Sequence, residues 1–153
     1  MKISGSYVLE ASPGEVWQRL FDPASLATLI PGCDRLEQLS ADEYRGQMSL
    51  ALPAVSGSFE TYVKILEQRP PRYCCLQGEI TGPTGIIAGT ASFSLASLAS
   101  LAEEAGRTRL DYEADAVITG GLAKMPARFI EGVAGALLSK GLAKLNRDLA
   151  QRP

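Results

Sequence analysis

Histidine is absent from this 153-residue chain, and cysteine is scarce. Without histidine, Ser-His-Asp and Cys-His catalysis and the commonest metal sites are excluded. Cys33 and the adjacent pair Cys74-Cys75 have neither metal-ligand spacing nor an even disulfide framework. We expect small, buried or half-buried thiols, with a reactive Cys33 as the alternative. The composition therefore favours binding over catalysis.

An excess of basic residues and a long apolar run are also missing. The net charge of −2 argues against nucleic-acid binding. No apolar run approaches the roughly 18 residues of a membrane-spanning helix, and the first residues do not resemble a leader. We therefore expect one domain, residues 1–153, of a cytoplasmic protein.

Two short helices are predicted near the start of the chain. Ser12-Pro13 and Asp22-Pro23 each combine a capping side chain with a proline at the first helical position. The second helix carries Leu26 and Ile30 and stops at Pro31-Gly32. A helix of two turns is unstable alone, so it must cover something. We interpret it as a lid over a pocket, with a fixed piece of core as the alternative.

Alternating apolar and polar residues predict strands before and after these helices. The first strand is "ISGSYVLE", and five later segments, which start near Tyr44, Gly57, Arg72, Gly85 and Arg107, show the same period of two. Gly82-Pro83-Thr84-Gly85 is typical of a hairpin turn. Asp111, Glu113 and Asp115 alternate with apolar residues and are expected on the wet outer face.

A long amphipathic helix is predicted from about Leu122 to the end of the chain. Its apolar stripe contains Phe129, Ile130, Val133, Leu137, Leu138, Leu142, Leu145 and Leu149. Consecutive strands form an antiparallel sheet whose apolar face needs a cover, and this helix is the element long enough to provide it. The predicted fold is therefore α+β of the helix-grip type: a curved antiparallel sheet wrapped round a long C-terminal α-helix, with two short helices after the first strand.

A ligand pocket is predicted between the sheet and the long helix, because many inward positions carry small residues that leave volume. Simple core packing is the alternative, with the glycines letting the sheet bend. Tyr44 or Tyr112 could offer a hydroxyl to a ligand carbonyl, although a buried tyrosine bonded to backbone is commoner. The predicted ligand-binding residues are Leu26, Ile30, Met48, Phe59, Val63, Leu76, Gly89, Ala91, Phe93, Leu110, Tyr112, Ala114, Phe129, Val133 and Leu137.

The segments "PGEVWQRLFDPASLATLIPGCDRLEQLSADEY", "GSFETYVKI", "QGEITGPTGIIAGTASFSL" and "TRLDYEADAVITGGLA" resemble the CoxG family of carbon monoxide dehydrogenase subunits. This family is a branch of the START-like (polyketide cyclase and lipid-transport, or SRPBCC) superfamily. The resemblance implies a small carrier of a hydrophobic molecule, a quinone or lipid, with no required cofactor. It also implies a molybdenum hydroxylase as partner, such as carbon monoxide dehydrogenase.

Two departures from the family pattern are present, of which the first bears on the membrane and the second only on how the long helix starts. Many relatives continue into a tail thought to reach the membrane, whereas this sequence stops at Arg152-Pro153; its long helix begins with Lys124-Met125-Pro126 rather than a Leu-Gly step. We expect at most peripheral contact, at the inner face of the membrane.

Three functions remain open at this point. The first is a non-catalytic carrier, and the second is an assembly or membrane-recruitment factor for the same enzyme, in which the cavity is incidental. The third is a cyclase- or hydrolase-type enzyme, which would need an acid, a base or an isolated arginine in the cavity.

Overall fold

The structure is a computed structural model that describes residues 1–30, 32–52, 55–98 and 106–150. Pro31, which was predicted to end the second helix, and Arg152-Pro153 at the chain end lie outside the described residues. The described residues form a seven-stranded antiparallel sheet, two short helices and a long C-terminal helix.

The two short helices begin where the capping residues predict. Helix α1 spans Pro13–Leu20 and helix α2 spans Pro23–Leu29. Ser12 Oγ accepts a hydrogen bond from the Glu15 N–H at 3.4 Å, and Asp22 Oδ1 accepts one from the Ala24 N–H at 3.2 Å. Each cap satisfies a backbone donor that the helix itself leaves free.

The sheet is a continuous meander from β2 to β7, and β1 pairs with β7 to form the edge strand on that side. Neighbouring strands are antiparallel and follow the order β1-β7-β6-β5-β4-β3-β2. The predicted α+β helix-grip fold is thereby confirmed. The strands are β1 Lys2–Leu9, β2 Cys33–Ser40, β3 Glu43–Leu52, β4 Val55–Arg69, β5 Tyr73–Gly82, β6 Gly85–Ser97 and β7 Thr108–Thr119.

The long helix starts later than predicted. A 3₁₀ turn occupies Gly120–Lys124, and helix α3 spans Ala127–Ala150. Pro126 explains the difference, because it has no N–H to continue a helix from Leu122, while its carbonyl accepts from the Ile130 N–H at 3.3 Å. Helix α3 contacts β1, α1 and α2.

Two clusters of buried side chains hold these elements together. The larger contains Leu9 of β1, Val16 of α1, and Leu145 and Leu149 of α3, so the second half of α3 is anchored where the short helices meet the sheet. The smaller cluster comprises Phe59, Leu122 and Ile130 and fixes the start of α3.

Glycine at position 89 allows neighbouring strands to approach closely. A Cβ built there would overlap the Asp115 carbonyl oxygen on β7, so a larger residue would push β6 and β7 apart. At Gly132 and Gly135 on α3, by contrast, an added Cβ would meet no atom within 4 Å. Gly89 therefore supports the alternative that small residues shape the sheet, rather than leaving room for a ligand.

Candidate functional site

A cavity of about 190 Å³ lies between the two short helices and the concave face of the sheet. We call it the inner cavity. Its walls are Leu20, Phe21, Leu26, Ile30, Cys33, Leu36, Tyr44, Gly46, Met48, Thr61, Val63, Ile65, Leu76 and Phe93.

The floor of the inner cavity follows from strand alternation. Every second residue of β3 and β4 points to the same face, which brings Tyr44 beside Val63 in the antiparallel register. Ile65 is paired in turn with Leu76 of β5. Gly46 contributes only backbone to this floor, and a Cβ added there would lie 3.1 Å from both the Arg35 carbonyl oxygen and Leu36 Cδ1.

The roof consists of the end of α1, one side chain of α2 and the residue that caps the C-terminus of α2. Phe21 and Phe93 are held by Trp17, whose ring centroid lies 4.5 Å from that of Phe21 and 5.9 Å from that of Phe93. Leu26 of α2 and Ile30, the C-cap of α2, complete the roof. The aromatic cluster fixes one end of the cavity, while a helix of seven residues covers the other.

Three lining residues carry a polar hydrogen, and two of these hydrogens are engaged. The Thr61 hydroxyl donates to Met48 Sδ at 3.5 Å, and the Cys33 thiol donates to the Arg35 carbonyl at 3.5 Å. The Tyr44 side chain has no hydrogen-bond partner within the part of the chain that the structure describes. The pKa values of the Tyr44 hydroxyl and the Cys33 thiol are both raised, and burial is the largest cause in each case. None of the lining residues is ionic, so the inner cavity is neutral.

A second apolar depression of about 230 Å³ opens between α2 and α3, and we call it the α2–α3 groove. It shares Leu20, Leu26, Ile30 and Met48 with the inner cavity, so these four side chains form a common wall. The remaining groove residues are Leu29, Leu137, Leu138, Gly141, Leu142 and Leu145.

The structure brings six of the fifteen predicted residues to the inner cavity: Leu26, Ile30, Met48, Val63, Leu76 and Phe93. Leu137 lines the α2–α3 groove instead. Ligand binding stays a prediction for all fifteen.

The other eight predicted residues lie away from the inner cavity. Phe59 and Leu110 are buried in the core clusters, and Tyr112 packs against the larger one. Phe129 is 39% exposed and Val133 is half-buried, both on the first half of α3. Gly89, Ala91 and Ala114 border depressions that contain polar residues of the outer face.

These placements correct the predicted position of the pocket. The prediction placed the pocket under α3 with α2 as a lid; α2 does border the cavity, but the rest of the cover comes from the end of α1 and not from α3. Ala91 is paired with both Leu76 and Ala114, so the three share a face as predicted. The two alanines nevertheless lie outside the inner cavity, which is centred on β3, β4 and β5.

Eight lining residues were not among the predicted set. Leu20 and Phe21 were not proposed as ligand contacts, and Tyr44 was considered only as a hydroxyl donor. A usable signal was present: Tyr44, Thr61 and Ile65 alternate with polar residues in the same strands as Met48 and Val63. The eight are Leu20, Phe21, Cys33, Leu36, Tyr44, Gly46, Thr61 and Ile65.

The charged side chains of the described residues lie outside the inner cavity. The predicted outer acidic stripe is observed: Glu113 and Asp115 are exposed, and hydrogen bonds from Ser6 and then Arg109 lower the pKa of Asp111. Among the described residues, no three His, Cys, Asp or Glu side chains are grouped as a metal site would require. None of the described helices has the length and apolar character needed to cross a membrane.

Comparison with known proteins identifies relatives of the whole chain. A family model for CoxG, described as a subunit of carbon monoxide dehydrogenase, matches residues 5–150. No curated protein matches. A conserved protein from Geobacillus kaustophilus has 26% identity and a TM-score of 0.91 over 99% of this chain and 96% of that one.

Two further solved structures share the fold at lower identity. A START superfamily protein from Mycobacterium smegmatis superposes with a TM-score of 0.73 at 14% identity, over 98% of this chain and 97% of that one. A protein from Chromobacterium violaceum gives 0.69 at 18% identity, over 95% of each chain.

Proposed function

The chain belongs to the CoxG family of carbon monoxide dehydrogenase subunits, and from this membership and its neutral cavity we propose that it carries a hydrophobic molecule, a quinone or lipid, for a redox enzyme. Family and START-like fold together point to a hydrophobic-ligand binding protein. The carrier role adds that the ligand is delivered unchanged, without catalysis and without a required cofactor.

The observation that carries this proposal is the chemical uniformity of the inner cavity. Aliphatic and aromatic side chains make up nearly all of its wall, and none of the lining residues is charged. Empty apolar volume costs stability at about 24 cal/mol per Å³, so 190 Å³ left unfilled would cost roughly 4–5 kcal/mol. A guest that fills this space offsets part of that cost, which favours retention of the cavity for a ligand.

The family name supports a carbon monoxide dehydrogenase-like enzyme, a molybdenum hydroxylase, as the partner. We propose that cargo passes between this enzyme and a membrane pool of quinone, with the protein at most peripheral to the inner face of the membrane and otherwise cytoplasmic. No nucleic acid is involved in this role, in keeping with the net charge of −2.

The enzymatic alternative has no support from the inner cavity. A cyclase or hydrolase needs a group that moves a proton or stabilises charge, yet no Asp, Glu, Lys or Arg is among the residues that line it. The assembly or recruitment alternative depends on the protein surface and is separated from the carrier role by experiment.

Native mass spectrometry on protein purified gently from its own host tests the carrier role directly. Solvent extraction then identifies whatever is released. We expect a quinone or lipid at close to one per chain. Protein that is empty, and that also fails to take up added quinones, would refute the carrier role and leave assembly or recruitment as the better explanation.

A further inference from the structure

Tyr44 is the one residue of the inner cavity whose polar hydrogen has no partner in the described part of the chain. Thr61 and Cys33 each donate within the protein, to Met48 Sδ and to the Arg35 carbonyl. Tyr44 is only 5% exposed and belongs to the larger core cluster. Because the rest of the wall is almost entirely apolar, an acceptor on a ligand would gain from this hydroxyl a hydrogen bond that no other lining side chain offers.

We propose that the Tyr44 hydroxyl selects a neutral, carbonyl-bearing ligand and orients it in the inner cavity. This inference rests on the proposed carrier function and specifies its ligand. The ligand oxygen accepts the Tyr44 hydrogen, and the hydrocarbon part extends towards Leu26 and Ile30, which also line the α2–α3 groove.

Neutrality of the ligand follows from the absence of a counter-charge among the lining residues. An ionised carboxylate needs a cation or several donors when it leaves water. The inner cavity offers one free hydroxyl and no cation among the side chains that line it. A quinone or other ketone is satisfied by one donor, whereas a fatty-acid carboxylate is not.

Tyr112, the other inward tyrosine considered from the sequence, does not compete for this role. The Tyr112 hydroxyl lies beside Gly5 of β1, where it occupies the space that a Cβ on that glycine would need. It is not among the residues of the inner cavity. Tyr112→Phe is therefore a matched control that removes the same hydroxyl elsewhere in the protein.

Three bicyclic probes of similar size test the proposal, with affinities measured by titration of wild type, Tyr44→Phe and Tyr112→Phe. They are 2-methyl-1,4-naphthoquinone, 2-methylnaphthalene and ionised 2-naphthoate. We expect Tyr44→Phe to weaken quinone binding about three- to tenfold and to leave the hydrocarbon almost unaffected. Tyr112→Phe should match wild type for both, and naphthoate should bind most weakly to all three proteins.

The outcomes separate this inference from the function on which it rests. If wild type binds neither quinone nor hydrocarbon, the carrier role and the inference are both overturned. If wild type binds both and Tyr44→Phe changes neither affinity, or if naphthoate binds as tightly as the quinone, only the inference is overturned.

Infrared spectroscopy of the bound quinone gives a second readout that does not require a folded variant. A hydrogen bond to Tyr44 lowers the carbonyl stretching frequency of the quinone in wild type relative to its value in an alkane solvent. Bound carbonyl bands at the alkane position would overturn the inference even if Tyr44→Phe did not fold.

Discussion

Replacing Val63 by Phe tests whether the inner cavity is kept open for a ligand or is part of the ordinary hydrophobic core. Val63 lies on the floor of the inner cavity in β4. If the larger ring fills about a quarter of the 190 Å³, the gain is about 1 kcal/mol at 24 cal/mol per Å³. Strain from the larger side chain costs about as much. We therefore expect the unfolding free energy to stay within about 1 kcal/mol of wild type, while affinity for an added quinone falls at least about tenfold.

Two further valine-to-phenylalanine variants calibrate this result. Val16 is completely buried, so Val16→Phe should lose about 1–3 kcal/mol by overpacking. Val117 is 68% exposed on the outer face, so Val117→Phe should change neither stability nor affinity. Urea unfolding measures the stabilities.

Binding can be followed by fluorescence, because the single tryptophan, Trp17, contacts two rings of the cavity wall. Unchanged affinity in folded Val63→Phe would place the ligand elsewhere. A loss of stability as large as that of Val16→Phe would mean that the space beside Val63 is not available to a guest.

Three other perturbations test the lid, a burial effect and a helix position. Leu26→Asp should speed ligand dissociation in stopped-flow measurements. Ala24→Asp, at an exposed position near the start of the same helix, is the control and should not change the dissociation rate. Equal dissociation rates for the two variants would mean that α2 is not a gate. Burial raises the pKa of the Cys74 thiol from 9.0 to about 11, so the folded state keeps a proton that the unfolded state releases. The resulting contribution to the free energy of unfolding is fully present below pH 9 and is lost as the pH rises to 11. In urea titrations, the unfolding free energy of wild type should therefore fall by roughly 2–3 kcal/mol more than that of Cys74→Ala across this pH range. Parallel pH dependences of the two proteins would contradict the raised pKa. Gly132→Ala, at an open position on α3, should raise the melting temperature by about 2–4 °C by calorimetry, and no increase would mean that the added methyl group is not accommodated freely.

The sequence predicted the starts of the two short helices well, because a single local interaction, the helix cap, determines each of them. Ser12 and Asp22 cap their helices as expected, because capping depends only on neighbouring backbone groups. Strand β2 was not identified, because it is largely exposed on both faces and so shows no alternation. The start of α3 was placed too early because the apolar pattern continues through a 3₁₀ turn, which Pro126 separates from the helix.

The position of the inner cavity was harder to predict than the face of the sheet on which it lies. Alternation shows which side of a strand is inward, so Met48 and Val63 were correctly brought together. It does not show how far along the sheet each helix extends. Ala91 and Phe129 were therefore assigned to a pocket under α3, whereas the cavity lies under α1 and α2.

The inner cavity and the α2–α3 groove share a wall of Leu20, Leu26, Ile30 and Met48. The shape of the groove at the protein surface therefore depends on whether the inner cavity holds a ligand. A guest that shifts these side chains in the inner cavity also reshapes the α2–α3 groove, because the same four residues border both. A protein that docked over the groove would thus distinguish full from empty carriers without touching the cargo. By thermodynamic reciprocity, its docking would alter cargo affinity by the same factor, so recognition and unloading would be two aspects of one equilibrium.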